Sequence, residues 1–466
     1  MGNPTRTDTG LVVLEVASPP ASTDVFARLL DEREPFLLDG GRDFGGQGRY
    51  SFAGCNPFAS LRSKNGVLSL RQAARERTWQ GDPFHAVRAL LRPYERERVE
   101  APVPFCGGAV GFFSYDLCHH VERLPRTALD DLRFPDLALG LYDSIVAWDN
   151  QQGRAWVCAL DLPERPSAQE RAEALRDLVS GRHLAVGEPV GPCGDDLRSN
   201  FTRAEYVAAV ARAREYIAAG DIFQVNLSQR FSVRLHVHPW QLYLRSRRIN
   251  PAPFAAYLGF ADGVVASASP ERFLRVNDRQ VETRPIKGTR PRGATPDEDA
   301  RLAEELLTSE KDRAELVMIV DLERNDLGRV CSYGTVRVPE LLRLESYATV
   351  HHLVSTVVGR LHEGRDVMDL LRATFPGGSI TGAPKVRSME IIDELEPTQR
   401  AVYTGSVGWI GFEGDMDLNI VIRTFLIKDG WAHWQVGGGI VADSEPEAEY
   451  EETLAKGVAL RRAVEG

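Results

Sequence analysis

Residues 221–231 read DIFQVNLSQRF, and their strict alternation commits this part of the chain to a β-strand. Phe223, Val225, Leu227 and Phe231 fall on one face; Gln224, Asn226, Ser228 and Arg230 fall on the other. A helix cannot present a period of two. A wholly polar strand face is either a sheet surface turned to solvent or the wall of a polar pocket. The first 180 residues carry the same kind of signal in GLVVLEV, EPFLLDG, GGAVGFFSYD and DSIVAWDN, short apolar runs divided by turns. They predict a strand-rich α+β fold. Gly, Pro and Asp crowd residues 181–199, which read as a linker. The regions on either side are thus residues 1–180 and 200–466. Thr202 and Glu205 form a capping box that opens a helix with Tyr206, Val210, Ala213 and Ile217 on one face, and Gly220 closes it.

With 56 basic and 66 acidic residues the net charge is −10, which argues against a nucleic-acid partner. Six scattered cysteines without a C-x-x-C pair read as reduced thiols of a cytoplasmic protein. Adjacent Cys118, His119 and His120 lack tetrahedral ligand spacing. No signal region or bilayer-length apolar run occurs, and Arg6 stands where an N-terminal Met-Gly myristoylation motif needs Ser or Thr.

Two acidic pairs stand out. Asp312 and Glu315 precede an apolar run that predicts a largely buried helix. Glu449 and Glu452 lie in DSEPEAEYEETLAKG, where Ser444 and Glu447 read as a capping box, Pro446 as first-turn residue, and Tyr450, Leu454 and Val458 as the buried face. Like charges three apart on a helix repel by roughly 0.2–0.5 kcal/mol. Either helix-dipole preference or a shared oxygen-rich site accounts for them, and Mg²⁺ suits such a site. Gly437, Gly438 and Gly439 end a predicted strand, and their bare N–H groups form either a tight turn or an anion nest. In FPGGSITGAPKVRSMEII, Pro384 reads as the first residue of a helix whose N-terminus faces an anion. Arg423, in the middle of the apolar strand NIVIRTFLI, needs a carboxylate partner, either a ligand or a structural salt bridge. Lys287, at the end of a strand in RPIKGTRPRG, is a surface lysine on local sequence alone. Taken together, these features imply a small ligand with one or more carboxylates.

SPERF, PIKGTRPRG, DRAELVMIVDLERNDLGRV, HHLVSTVVG, FPGGSITGAPKVRSMEIID, YTGSVGWIG, IVIRTF and GGGIVADSEPEAEYEET occur in the order seen in chorismate-utilising enzymes, and the chain resembles that family from about residue 200 to its end. The resemblance implies an α+β fold with two large stacked antiparallel β-sheets and outer helices. It further implies chorismate as substrate. Mg²⁺ would be held directly by Glu315 and Glu452, and through water by Asp312 and Glu449. Gly437, Gly438 and Gly439 would face the ring carboxylate, and Arg423 and Tyr403 the enolpyruvyl carboxylate. Glu271 would be the acid that protonates the leaving hydroxyl, with His352 and Thr381 supporting the ring. The lysine of P-I-K-G-T resembles the aminodeoxychorismate synthase component I branch, where anthranilate synthases usually have P-I-A-G-T. Lys287 would then attack the ring or steer ammonia. Gln224 stands where water-adding members carry a lysine base. Ammonia would come from a separate glutaminase subunit, since nothing here resembles a glutamine-hydrolysing domain. Members that bind tryptophan use L-L-E-S-like and N-P-S-P-like segments; FLLDGG (36–41) replaces the first without its serine, and NPAPF (250–254) keeps most of the second.

Overall fold

The computed structural model describes residues 5–6, 10–41, 47–73, 75–180, 186–347 and 350–466. The Met1–Gly2 start and residues 181–185 of the linker lie outside the described residues. Two antiparallel sheets of 13 and 12 strands dominate. Both mix the two ends of the chain. In the larger sheet Phe36–Asp39 pairs with Phe254–Phe260; in the smaller one Gly108–Phe113 pairs with Ser406–Gly411. The strand Gly194–Ser199 falls inside the segment read as a linker and pairs with Gln224–Leu235.

The sheets stack through aromatic side chains. Phe52 of the larger sheet meets Phe105 edge-on at 5.4 Å, and Phe105 stacks on Trp409 of the smaller sheet at 4.8 Å. Each such ring contributes about 1.5–3 kcal/mol by burial. A second apolar layer lies on the outer face of the larger sheet. There Phe26, Tyr257 and Phe425 cluster with Trp240 of the helix Pro239–Ile249 and Leu460 of the helix Pro446–Glu465. Strands covered on both faces read as continuous apolar runs: Leu137–Tyr142, LALGLY, is buried throughout. The edge strand Arg75–Gln80, RERTWQ, is mostly exposed, its charges discouraging a further strand. None of the six cysteines is paired in a disulfide. Among the described residues no helix is long and apolar enough to cross a membrane.

The Thr202–Glu205 capping box forms as expected, and Tyr206, Val210 and Ala213 are buried. The strand after it differs from a half-solvated one. From Gln224 to Arg230 both faces are buried, whereas Phe223, expected on the apolar face, is 72% exposed. Two of the polar side chains bond internally, Ser228 donating to Glu396 and Arg230 pairing with Asp131, whereas Gln224 Oε1 and Asn226 Oδ1 are buried without a hydrogen-bond partner. The helix Glu310–Gly328 buries only one face, with Val317 exposed, and is amphipathic rather than largely buried.

Candidate active site

Among the places where the chain passes from one sheet to the other, two neighbours carry ionisable side chains, one buried and one half-buried. One runs from the strand Gly263–Ser269 into Arg272–Asn277 and carries Glu271. The other runs from Met416–Asn419 into Thr424–Lys428 and carries Arg423. They are stitched together: Ile420 N donates to Glu271 O at 3.0 Å, Ser269 Oγ to Ile420 O at 2.6 Å, and Ala268 N to Arg423 O at 3.1 Å. Arg423 is therefore not in mid-strand. It occupies a break in the left-handed region at φ +52°, the kind of strain that collects at functional sites. Nor, among the described residues, is it in a structural salt bridge. Its Nη1 donates to Asn250 Oδ1 at 3.3 Å, and burial works against its charge, with Glu271 the opposing anion. Burial raises the Glu271 carboxyl to about 7, against the opposing pull of Ser379, Lys287, Ile286 N and Arg423.

Lys287 is the second residue of the strand Ile286–Pro291, not the end of one. Opposite it on Val350–Arg360 is Leu353, while Thr289 faces His352. Gly288 is the extra residue of a bulge, at φ +74°. A bulge re-aims the side chain beside it. Lys287 is only partly exposed. Burial depresses its ammonium below the usual lysine value; Glu315, Glu271 and Glu452 oppose this, and Lys456 adds to it. His352 is buried beside the bulge. Its Nδ1 lies 2.8 Å from Thr289 Oγ1, its Nε2 has no partner, and burial with Arg423 nearby lowers it to about 3, so the ring is neutral. Thr381 is fully buried; its hydroxyl donates to Gly377 O at 3.0 Å, and its carbonyl accepts from Asn226 N at 2.7 Å. Tyr403 is buried in a small pocket with Val421 and Thr424, which bracket Arg423.

The pair Glu449 and Glu452 lies over the end of the strand Trp431–Ile440. A Cβ on Gly438 would lie 3.2 Å from Glu449 Oε2 and 3.4 Å from Glu452 Oε1. Lys311 bears electrostatically on Glu315, Glu449 and Glu452 alike, linking the helices. Lys456, one turn beyond Glu452, bonds it at 2.7 Å and donates to Gly437 O at 3.1 Å. Asp312 is partly engaged by Arg290 at 3.0 Å. Among the described residues no three His, Cys, Asp or Glu side chains close around one point. The oxygen-only donors Glu315, Glu449 and Glu452 nevertheless match a hard divalent cation in chemistry.

Gly437, Gly438 and Gly439 are strand residues, not a nest. They pair with Ser228, Leu227 and Asn226, so successive N–H groups alternate in direction. The Thr424–Lys428 strand pairs only as far as Trp434, leaving this stretch with a neighbour on one side. Gly439 is required for another reason: a Cβ there would lie 1.9 Å from Gln224 Nε2. The amide thus lies directly across residue 439, and Gln224 Oε1 is buried without a partner.

Three local expectations change. Pro384 is the residue before the helix Lys385–Leu395, not its first. The Ser444–Glu447 box does not form: Glu445 precedes the helix Pro446–Glu465, Ser444 Oγ donates to Glu449 Oε1 at 2.6 Å, and Glu447 pairs with Arg203. The buried face of that helix is Glu449, Thr453, Gly457 and Leu460, while Tyr450 and Leu454 are half-buried and Val458 is 40% exposed. The helix turns its small and polar stripe inward because it must approach the glycine strand. Ser379, Lys311 and Lys456 were not singled out in the sequence. Only Lys456 left a signal, the i+4 spacing from Glu452.

Lys287, Glu271, Glu315 and Glu452 are thus close enough to bear on one another's charge, as are Arg423, Glu271 and His352, whereas Thr381 and Tyr403 are buried without a direct hydrogen bond to any of them. Residues 40–462 match the family described as chorismate binding enzyme. Aminodeoxychorismate synthase component 1 of Bacillus subtilis is 44% identical over 421 residues, covering 90% of each chain. Anthranilate synthase component 1 of Thermus thermophilus is 45% identical over 442 residues, 94% of each chain. The solved anthranilate synthase component I of Streptococcus pneumoniae superimposes with a TM-score of 0.80 at 33% identity, over 89% of this chain and 92% of that one. By these matches, this chain belongs to the chorismate-binding enzyme family.

Proposed function

We propose that the protein aminates chorismate with ammonia to give 4-amino-4-deoxychorismate, the activity named in its aminodeoxychorismate synthase component 1 relatives. The observation that carries this reading is Lys287, an amine with depressed basicity within electrostatic reach of a carboxyl raised to about 7. An amine is a nucleophile only when neutral, and a carboxyl with a pKa near 7 can donate a proton at neutral pH.

In this reading Arg423 and Tyr403 hold the enolpyruvyl carboxylate, and the edge at Gly437–Gly439 faces the ring carboxylate. Glu315 and Glu452 would hold Mg²⁺ directly, Asp312 and Glu449 through water; the cation would supply neutralising charge and orient the ring. Neutral Lys287 Nζ forms a bond to ring carbon 2. Both conjugated ring double bonds shift one position, the carbon 4–oxygen bond breaks, and Glu271 delivers its proton so that water leaves. Ammonia then bonds to carbon 4, both double bonds shift back, and the carbon 2–nitrogen bond breaks. The proton shed by the incoming ammonia returns to Glu271. Neutral His352 and Thr381 line the ring. Gln224 carries no base to activate water, which disfavours hydration. Ammonia would be supplied by a separate glutaminase subunit, and the product would go to a lyase forming 4-aminobenzoate for folate.

A second reading, anthranilate synthesis, is favoured by the similarity to the Thermus thermophilus protein. Product analysis decides between them. With chorismate, ammonia and Mg²⁺, the expected product is 4-amino-4-deoxychorismate, and chelation of the metal is expected to stop its formation; fluorescent anthranilate without added lyase would overturn the reading. Mass spectrometry without ammonia tests the covalent step. An adduct on Lys287 supports it, and none under any trapping condition leaves only a steering role.

A further inference from the structure

A fully buried ion pair lies outside the set of residues assigned above. Arg400 and Glu396 are each about 1% exposed and meet at 2.7 Å. A guanidinium has five N–H donors in a fixed fork, and Arg400 uses all of them. Nε and one Nη2 proton go to Glu396 at 2.9 and 2.7 Å; the other Nη2 proton goes to Asn226 O at 2.7 Å. Nη1 donates to Ile380 O at 3.0 Å and to Thr404 Oγ1 at 3.4 Å. The guanidinium carbon also lies 4.8 Å from the Tyr115 ring centroid and 5.8 Å from that of Tyr403. Glu396 is equally committed, accepting from both Ser228 N at 2.9 Å and Ser228 Oγ at 2.8 Å.

Three of these partners adjoin, or are, residues assigned to the site. Ile380 immediately precedes Thr381. Asn226 lies two residues from Gln224 on the same strand face, and its N–H binds the Thr381 carbonyl. Tyr403 lies in the turn that Arg400 begins. A buried ion pair is weak evidence for stability, because desolvation offsets the attraction. A saturated planar fork, in contrast, fixes direction and distance.

We infer that Arg400, oriented by Glu396, is a positioning residue that sets Tyr403 against the enolpyruvyl end of chorismate and Thr381 against its ring. The inference rests on the chorismate reading above, but not on which product forms. Chorismate consumption is therefore the assay, whatever the product, so an anthranilate product would overturn the role given to Lys287 and leave this inference standing. A wild-type protein that consumes no chorismate would overturn both.

The variants are Arg400→Lys, which keeps the charge but loses the fork, and the double variant Glu396→Gln with Arg400→Gln, which leaves no unpaired buried charge. Thermal melting and circular dichroism establish that each is folded. The expected result is a KM for chorismate raised about 10- to 100-fold in folded protein, the scale on which small misplacements act. The pH dependence of turnover, set by Glu271 and Lys287, is expected to stay where it is. A purely structural pair predicts something else: fewer active molecules, hence lower apparent kcat at unchanged KM. That outcome, or kcat/KM within about twofold of wild type in a folded variant, overturns the inference. Failure of both variants to fold also overturns it, since the pair would then be a folding element.

Discussion

Glu271 is a carboxyl whose ionisation the fold resists. Its pKa rises from 4.5 to about 7, so the folded state holds the proton more tightly than the unfolded chain. The associated stability is fully present below pH 4.5 and is lost as pH rises through about 7; a shift of this size corresponds to about 3 kcal/mol. Glu271→Gln removes the cost of burying the anion. Its melting temperature should match wild type near pH 4.5 and exceed it at pH 8, read by calorimetry across that range. Turnover of the same variant should fall about 10²- to 10⁴-fold, the usual weight of a general acid. No melting difference at pH 8 would mean that Glu271 ionises freely. SPERF is what singled out Glu271 as a candidate acid in the sequence. Its environment was not legible there, because Ser379, Arg423 and Ile420 reach it from more than 100 residues away. Lys287 is similar: the motif marked it, but the chain segment alone read as a surface lysine.

At the scale of the element, the bulge at Gly288 decides where Lys287 points. A Cβ at 288 would adopt φ +74° and would lie 2.8 Å from Leu306 Cδ1 and 3.0 Å from Asp312 Cβ. Gly288→Ala should therefore destabilise by about 1–2 kcal/mol and lower turnover more than KM. Urea melts and steady-state kinetics measure the two effects; a variant with full stability and activity would show that the bulge tolerates a side chain. The bulge was invisible in the sequence because it exists only in register with His352 and Leu353. Alternation in DIFQVNLSQRF did reveal a strand, but not that its polar face is buried, since the burying groups Glu396 and Asp131 belong to distant segments. The segments compared with tryptophan-binding members also come together. Leu38, Asp39 and Gly40 line a cavity of about 290 Å³ with Pro253 and Phe254. There the Asp39 carboxylate is already taken by Tyr243 Oη at 3.0 Å, Arg247 and Ser22 Oγ at 3.4 Å. Isothermal titration with tryptophan should show no tight binding; a strong exotherm would mean that this network opens.

For the whole molecule, the stacked-sheet architecture was legible through resemblance and the short apolar runs. The interleaving of strands was not, because periodicity assigns faces and leaves partners unassigned. Residues 200–466 look self-sufficient as sequence, yet their strand Phe254–Phe260 leans on Phe36–Asp39, and Ser406–Gly411 on Gly108–Phe113. Expressed alone, residues 200–466 should lack a cooperative thermal transition by circular dichroism; a sharp one would show that the C-terminal region is an independent folding unit. The full chain should melt in one step.

The pairing of Gly108–Phe113 with Ser406–Gly411 also sets a timetable. At about 5–20 residues per second of synthesis, the early strand waits on the order of 15–60 s on the ribosome for a neighbour that is still being made. Through that interval its backbone edge is open to any passing nascent chain. Chaperone supply during translation, more than the resilience of the finished enzyme, should govern how much of this protein a cell can accumulate.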